Sequence, residues 1–144
     1  VLIIIVSYKF SAQTDVQSLS ISDRLLVMLK VVSWDEVQSE SGEYLLYSRI
    51  FREVAHLLLY SLITLQVFLL IYSLVKHLKT TIPITILIVM CYALFDEYHQ
   101  EFVEGRGYEY FDLVMDFIGS TLTIFIATTS VWISRKIVGK INGL

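Results

Sequence analysis

The sequence contains few of the residues that crosslink, bend or charge a chain. Its single cysteine, Cys91, excludes an intrachain disulfide and a thiol-based metal site. Only one proline, Pro83, and six glycines occur, and the glycines do not form a phosphate-binding loop pattern. Its 11 basic residues form no basic stripe and the net charge is −3, so the sequence predicts no nucleic-acid partner.

Apolar residues are abundant instead. They make up 56% of the sequence, charged residues make up 17%, and the mean hydropathy is +0.67. Soluble domains have about 45–50% apolar and about 25% charged residues, so both deviations indicate a membrane protein. The length of 144 residues suits one domain. We therefore predict a single transmembrane domain over residues 1–144.

Four apolar segments predict an all-α bundle of about four transmembrane helices. Ala55–Val75 is long enough to cross a hydrocarbon core of about 30 Å. Ile82–Phe95 reaches a sufficient length if its helix continues through residues 96–100, and Leu113–Ser134 forms another span. Val1–Ser11 resembles the C-terminal half of a further span. The sequence thus predicts a first helix that is truncated at its N-terminus.

Basic residues near the span ends predict the orientation in the membrane. They lie in the turn after Ala55–Val75 and in the C-terminal tail: Lys76, Lys79, Arg135, Lys136 and Lys140. Neither segment contains an acidic residue. Antiparallel packing puts both segments on one side, which we predict to be cytoplasmic, with both termini inside.

One amphipathic extracytoplasmic helix is predicted between the first two spans. SISDRLLVMLKVVSW, residues 20–34, has helix-capping serines followed by apolar residues at helical spacing. Contact with the lipid surface and packing against the bundle both fit this pattern.

The most polar stretch, DEYHQEFVEGRGYEYFD, covers residues 96–112 and lies between two apolar spans. It contains six carboxylates but only one basic residue, Arg106. This arginine is a candidate to neutralise Asp96, Asp112 or Asp116 through charge-assisted pairs. The stretch is either a solvated loop or the rim of a functional site.

Helical spacing groups the polar residues of the spans into stripes. Three stripes are predicted to lie at the outward ends of their spans: His56 with Tyr60, Asp96 with Gln100, and Asp112 with Asp116. A carboxylate inside a membrane costs about 2.5–3.5 kcal/mol on insertion scales. Asp116 is therefore expected to face a partner, water or the bundle interior. Stabilisation of the bundle and a functional site both explain such a cluster.

The spacing of these residues limits the chemistry. Potential ligands are present, but no HExxH-type pattern occurs and DEYHQ spreads them over different helix faces, so the sequence predicts no metal and no cofactor. A general acid–base pair of His56 with Asp96 or Glu97 needs only that the two spans pack together. No serine or cysteine is recognisable as an activated nucleophile.

These residues resemble the VanZ-like family of bacterial membrane proteins. The resemblance rests on a D-E-x-x-Q-x-F-x-x-G-R element followed by D and G, on an upstream R-x-x-x-H-x-x-x-Y element, and on an F-S-x-Q…S stretch. In this sequence they correspond to Asp96, Glu97, Gln100, Phe102, Gly105, Arg106, Asp112 and Gly119, to Arg52, His56 and Tyr60, and to Phe10, Ser11, Gln13 and Ser18. Asp116 departs from the pattern, because the family usually has asparagine there.

The resemblance implies a four-span, multi-pass protein of the bacterial cytoplasmic membrane, with membrane lipids as partners. The family takes its name from a member associated with resistance to teicoplanin, a glycopeptide that acts on lipid-linked cell-wall precursors outside the membrane. One expectation is binding of a lipid-linked envelope component or a lipoglycopeptide. The other is an intramembrane enzyme for a lipid or lipid-linked precursor, with His56 and Asp96 or Glu97 as acid and base. The expected binding residues are Arg52, His56, Tyr60, Asp96, Glu97, Gln100, Arg106, Asp112 and Asp116.

Overall fold

The computed structural model describes residues 15–103 and 109–142, and the side chains of residues 22–103 and 109–140. Every regular element in these ranges is a helix: α1 (Asp15–Met28), α2 (Trp34–Gln38), α3 (Gly42–Val75), α4 (Leu78–Gln100) and α5 (Tyr110–Asn142). The predicted first span, Val1–Ser11, and the arginine of the polar stretch, Arg106, lie outside the described residues.

Three of the described helices are long and apolar enough to cross a membrane, namely α3, α4 and residues Tyr110–Lys140 of α5. Many apolar side chains on their outer faces stay exposed, for example Leu87 at 64% and Phe125 at 68%. Apolar side chains that face away from a bundle are expected where the surroundings are lipid. The all-helical prediction is confirmed for the described residues, and the finer count of about four spans is not.

The three long helices extend beyond the apolar segments that predicted them. Helix α3 begins at Gly42, well before Ala55, because Ser41 caps it by accepting a hydrogen bond from the Tyr44 N–H. Helix α4 continues through Gln100, as expected for a span that uses residues 96–100. Hydropathy marks the part of a helix that suits lipid, whereas capping and backbone hydrogen bonds set where the helix ends.

Helices α3 and α5 approach each other closely around Gly119. A Cβ atom at this position would lie 2.5 Å from the backbone oxygen of Leu57, so a larger side chain would force the helices apart. Ser61 Oγ donates to the backbone oxygens of both Leu57 and Gly119, and Thr64 Oγ1 donates to Ser120 Oγ at 2.9 Å. These contacts fix the register in which α3 faces α5.

The main core fills the space between α3 and α4. Its buried members are Tyr60, Ile63, Val67, Val89 and Ala93. Fully buried Thr81 donates from Oγ1 to the backbone oxygen of His77, which satisfies its hydroxyl inside the helix. The two helices are therefore held mainly by apolar packing.

A smaller core joins the short helices to α3. Leu26 and Val32 are buried against Tyr44, whose hydroxyl donates to Asp23 Oδ1 at 2.9 Å. Met28 stays 80% exposed, so one side of this segment packs on the bundle and another does not. The extracytoplasmic location and amphipathic role of this segment stay predictions.

Helix α2 starts with a reciprocal capping box. The Glu36 N–H donates to Ser33 Oγ, while Ser33 donates from its backbone N–H to Glu36 Oε2 at 2.6 Å. The backbone hydrogen bond from Ser33, followed by the one from its hydroxyl, lowers the pKa of the Glu36 carboxyl below its usual value.

At the other end of the bundle, Arg135 connects α5 to the C-terminus of α3. Its Nη2 donates to Tyr72 Oη at 2.9 Å and to the backbone oxygen of Lys76 at 2.7 Å. The guanidinium also lies 5.7 Å from the centre of the Tyr72 ring. Lys76 ends α3 in the left-handed region, with φ of 59°. We call Tyr72, Lys76 and Arg135 the cationic end.

Candidate functional site

Most of the predicted site residues converge where the C-terminus of α4 meets the N-terminal part of α5 and the middle of α3. We define the polar cluster as His56, Tyr60, Asp96, Glu97, Gln100, Asp112 and Asp116. All of them except the half-buried His56 are buried. The convergence follows from the close α3–α5 contact at Gly119, which holds the stripe of α5 carboxylates against the His56 stripe of α3.

His56 lies between two carboxylates of α5. Its Nδ1 is 3.3 Å from Asp116 Oδ1, and its Nε2 is 3.6 Å from Asp112 Oδ2. Asp112 and Asp116 are one helical turn apart, so they present their side chains to the same imidazole. The ring also stacks on Tyr60, with centroids 6.5 Å apart and an interplanar angle of 9°.

Tyr60 connects α3 with α4. Its hydroxyl donates to Asp96 Oδ2 at 3.3 Å, and the tyrosine is completely buried. Asp96 is 4% exposed, so this hydroxyl partly replaces the water that a carboxylate would otherwise bind.

Glu97 holds the start of α5 in place. Its Oε2 accepts a hydrogen bond from the backbone N–H of Glu109 at 3.1 Å, and its Oε1 accepts one from Gln100 Nε2 at 3.4 Å. The residue is only 1% exposed. A buried carboxylate therefore orients the chain that enters the polar cluster.

Arg52 lies at the rim of the cluster. Its Nη2 donates to Glu109 Oε2 at 2.6 Å, and the two side chains are 35% and 45% exposed. An ion pair with this exposure contributes about 1 kcal/mol or less to stability. Arg52 thus pairs through Nη2 with a residue at the entrance to α5 in a partly exposed position, whereas its Nε is buried without a partner among the described residues.

Several buried oxygen atoms of the cluster region lack a hydrogen-bond partner among the described residues. They are Asp112 Oδ1, Asp116 Oδ2 and Glu53 Oε2. Leaving a buried polar group without a partner costs about 1–3 kcal/mol, and more for a charged group. Ionised carboxylates only accept hydrogen bonds, so these atoms suit a hydroxyl, an amide N–H or a cation.

Two groups of side chains have the spacing of metal ligands. His56, Glu97 and Asp112 each offer a ligand atom within 4.8 Å of the other two. Glu53, Glu109 and Asp112 form a second such group, which shares Asp112 with the first. The ligands of either group come from different helices or from the turn between them, which is why sequence spacing does not reveal them.

An apolar cavity of about 180 Å³ lies between α4 and α5. Its lining residues are Ile86, Val89, Met90, Phe117, Ser120, Thr121 and Ile124. On α5 the lining runs from Phe117, the residue after Asp116, to Ile124, so the cavity and the cluster use successive parts of this helix.

The sequence-predicted site residues fall into three groups. Seven of them form the polar cluster, Arg52 lies at its rim, and Arg106 lies outside the described residues, so its proposed pairing stays a prediction. Glu53 and Glu109 were not among the predicted residues. Glu53 lies one turn before His56, a weak signal, whereas nothing in the sequence pairs Glu109 with Arg52.

Comparison with known proteins shows the family to which the chain belongs. A family model described as VanZ/LLP1 matches residues 1–133. The chain belongs to the VanZ/LLP1 family. The search among curated proteins found no match, and neither did the search among solved structures. Family membership confirms the resemblance and, together with the three apolar helices, identifies a VanZ-type membrane protein.

Proposed function

We propose that this VanZ-type protein binds a lipid-linked envelope component, or a lipoglycopeptide, and contributes to resistance against teicoplanin-type antibiotics. The observation that carries the proposal is that the polar cluster and the apolar cavity use successive parts of the same two helices, α4 and α5. A ligand with a polar headgroup and an acyl or prenyl tail has the same two parts in the same order.

The polar cluster suits the headgroup of such a ligand. Buried acceptors at Asp112 and Asp116 would receive hydrogen bonds from sugar hydroxyls or peptide N–H groups, which satisfies oxygens that otherwise lack partners. Tyr98 and Tyr110 are 58% and 77% exposed near the same helix ends. Their rings offer faces for sugars or acyl groups.

Arg106 is proposed to pair with the anionic part of the headgroup or to neutralise the carboxylates of the cluster. A guanidinium binds phosphate through two parallel hydrogen bonds, which a cluster of carboxylates cannot do. Arg106→Ala is therefore expected to weaken binding of a pyrophosphate-linked ligand.

The proposal includes an orientation in the bacterial cytoplasmic membrane. The polar cluster faces outward, both termini are cytoplasmic, the chain has about four spans, and α1 belongs to an amphipathic extracytoplasmic segment. The basic residues around the cationic end support this arrangement, because positive charge accumulates on the cytoplasmic side. The test labels single cysteines with a membrane-impermeant maleimide in a Cys91→Ser background. We expect Glu101→Cys to be labelled from outside and Lys140→Cys not to be labelled.

The direct test measures binding of a lipid-linked cell-wall precursor to the full chain in nanodiscs. Thr121→Phe would fill the cavity from an exposed position, and its matched control is Thr129→Phe, an exposed threonine on the same helix that does not line the cavity. Asp112→Asn removes a headgroup acceptor, with exposed Glu101→Gln as its control.

We expect at least tenfold weaker binding for Thr121→Phe and for Asp112→Asn, and unchanged binding for both controls. One lost charge-assisted hydrogen bond of about 1.5–3 kcal/mol corresponds to a tenfold or larger change. Wild-type affinity in both test variants would refute the proposed site. Tight binding of precursor with no change in teicoplanin susceptibility would separate binding from resistance.

A second candidate function is an intramembrane enzyme that acts on a lipid or lipid-linked precursor. It is favoured by the position of His56, whose Nδ1 side is held by Asp116 while Asp112 lies near Nε2. A base oriented in this way, with buried Glu97 nearby, could transfer a proton to or from a substrate. We expect His56→Ala and Glu97→Gln to lose precursor turnover. Absence of product from the wild-type protein would exclude the enzymatic function.

A further inference from the structure

We propose that His56, Glu97 and Asp112 bind a divalent transition-metal ion, with Zn²⁺ as the reference ion. This assignment replaces the expectation of no metal that came from the sequence. It does not depend on the proposed lipid-linked ligand, because metal binding can be measured without it. One imidazole and two carboxylates are suitable ligands for Zn²⁺.

The distance between His56 and Asp112 supports a shared ion. Nε2 and Oδ2 are 3.6 Å apart, whereas N–H···O hydrogen bonds measure about 2.7–3.2 Å. Two ligands that each lie about 2.0–2.2 Å from a tetrahedral Zn²⁺ are separated by about 3.4 Å. The pair is therefore too far apart for a good hydrogen bond and at a suitable distance for coordination of the same ion.

The second ring nitrogen of His56, Nδ1, makes the contact that metal-binding histidines normally make. Its Nδ1 lies 3.3 Å from Asp116 Oδ1. Donation of the Nδ1 proton to this carboxylate would leave the lone pair of Nε2 directed toward Asp112. A carboxylate that orients a histidine in this way typically raises metal affinity about 10–100-fold.

Burial and charge at the site also favour a cation. Glu97 and Asp112 are 1% and 3% exposed, and Asp112 Oδ1 has no partner among the described residues. Asp96 and Asp116 lie in the same cluster, are 4% and 1% exposed, and add two more buried carboxyl groups. A divalent ion would compensate part of this charge in a region where unpaired carboxylates are costly. Three protein ligands leave a fourth position open, as in catalytic zinc sites.

The second group of potential ligands is less suitable. Glu109 is 45% exposed, and its Oε2 already pairs with Arg52 at 2.6 Å. Glu53, Glu109 and Asp112 also lack an imidazole, so they suit harder cations than Zn²⁺. The two groups share only Asp112, and each contains one buried glutamate, Glu97 in the first and Glu53 in the second, which provides a matched test.

The test uses the tag-free full chain in detergent, stripped with a chelator and titrated with Zn²⁺. Elemental analysis after desalting is expected to show one Zn²⁺ per chain in the wild type and in Glu53→Gln. Glu97→Gln, Asp112→Asn and His56→Gln should bind at least tenfold more weakly. Glu97→Gln and Glu53→Gln both exchange a buried carboxylate for an amide of the same shape, so they control for the loss of buried charge.

Several results would overturn the assignment. These are no Zn²⁺ in the wild type, wild-type affinity in Glu97→Gln, or an equal loss in Glu53→Gln. X-ray absorption of the Zn²⁺-loaded wild type keeps the test valid if a variant fails to fold. It should show one imidazole nitrogen and oxygen ligands at about 2.0–2.2 Å. A shell of oxygen alone would contradict the role of His56.

Discussion

The two ends of the α3–α5 helix pair differ in how their charged groups are satisfied. At the cationic end, Arg135 donates to Tyr72 and Lys76 and lies against the Tyr72 ring. At the polar cluster, Asp112 and Asp116 each keep an oxygen without a partner among the described residues. One end is satisfied by its own chain, and the other has acceptors available for something else.

This difference separates an end whose polar groups stabilise the bundle from an end whose unpartnered acceptors are the basis of the proposed binding site. Satisfied hydrogen bonds to a charged group contribute about 1.5–3 kcal/mol, whereas an unsatisfied buried acceptor costs a similar amount. A bundle that needed only to fold would gain by replacing the acidic cluster with apolar residues. The family membership and the clustered acceptors together identify the polar end as the part of the molecule to test for binding.

The largest expected effect comes from separating the two helices that carry both ends. Gly119→Ala would put a Cβ atom 2.5 Å from the Leu57 backbone oxygen, which cannot move without its helix. We expect a loss of stability of about 1–3 kcal/mol, together with weaker ligand and metal binding, because α3 and α5 would shift apart at the polar cluster.

Thermal unfolding in detergent measures this effect, and Gly139→Ala is the control. A Cβ atom at position 139 meets nothing within 4 Å, so alanine there should stabilise α5 by about 0.5–1 kcal/mol through its helix propensity. Equal unfolding temperatures for the two variants would show that the close approach at Gly119 is not limiting.

A smaller effect is expected at the cationic end. Arg135→Gln would lose the contacts to the Tyr72 hydroxyl and the Lys76 backbone oxygen, but Arg135 is exposed, so we expect a loss of about 0.5–1.5 kcal/mol. Binding of ligand and of Zn²⁺ should stay at the wild-type level, because the cluster lies at the opposite end. Lys140→Gln removes a nearby charge without these contacts and should leave the unfolding temperature unchanged. Impaired ligand binding in Arg135→Gln alone would contradict the separation of the two ends.

The sequence predicted the polar cluster better than it predicted the details of its geometry. Helical spacing was enough to align His56 with Tyr60 and Asp112 with Asp116, because neighbours on one helix face depend only on the helical repeat. The pairing of Arg52 with Glu109, 57 positions away, depends on how α3 meets the start of α5. Local periodicity does not contain that information.

The same limit of local periodicity explains why the sequence predicted no metal site. Spacing rules for metal sites apply when at least two ligands lie on one element, as in HExxH. Here His56, Glu97 and Asp112 come from three helices, and His56 meets Asp112 because Gly119 allows α3 and α5 to pack closely. Hydropathy likewise predicted the apolar parts of α3 and α5 but not their polar ends: Ser41 caps the start of α3, and α5 runs from Tyr110 to Asn142.

The most direct test of the account is the unfolding temperature of Asp116→Asn, measured in detergent without metal or ligand. The amide oxygen can still accept the hydrogen bond from His56 Nδ1, while the amide NH₂ replaces an unpartnered buried oxygen among acidic neighbours. We predict a higher unfolding temperature than that of the wild type, because the free energy of unfolding should rise by about 1–3 kcal/mol. A lower temperature would mean that Asp116 is already satisfied, and that the cluster serves the fold rather than a ligand.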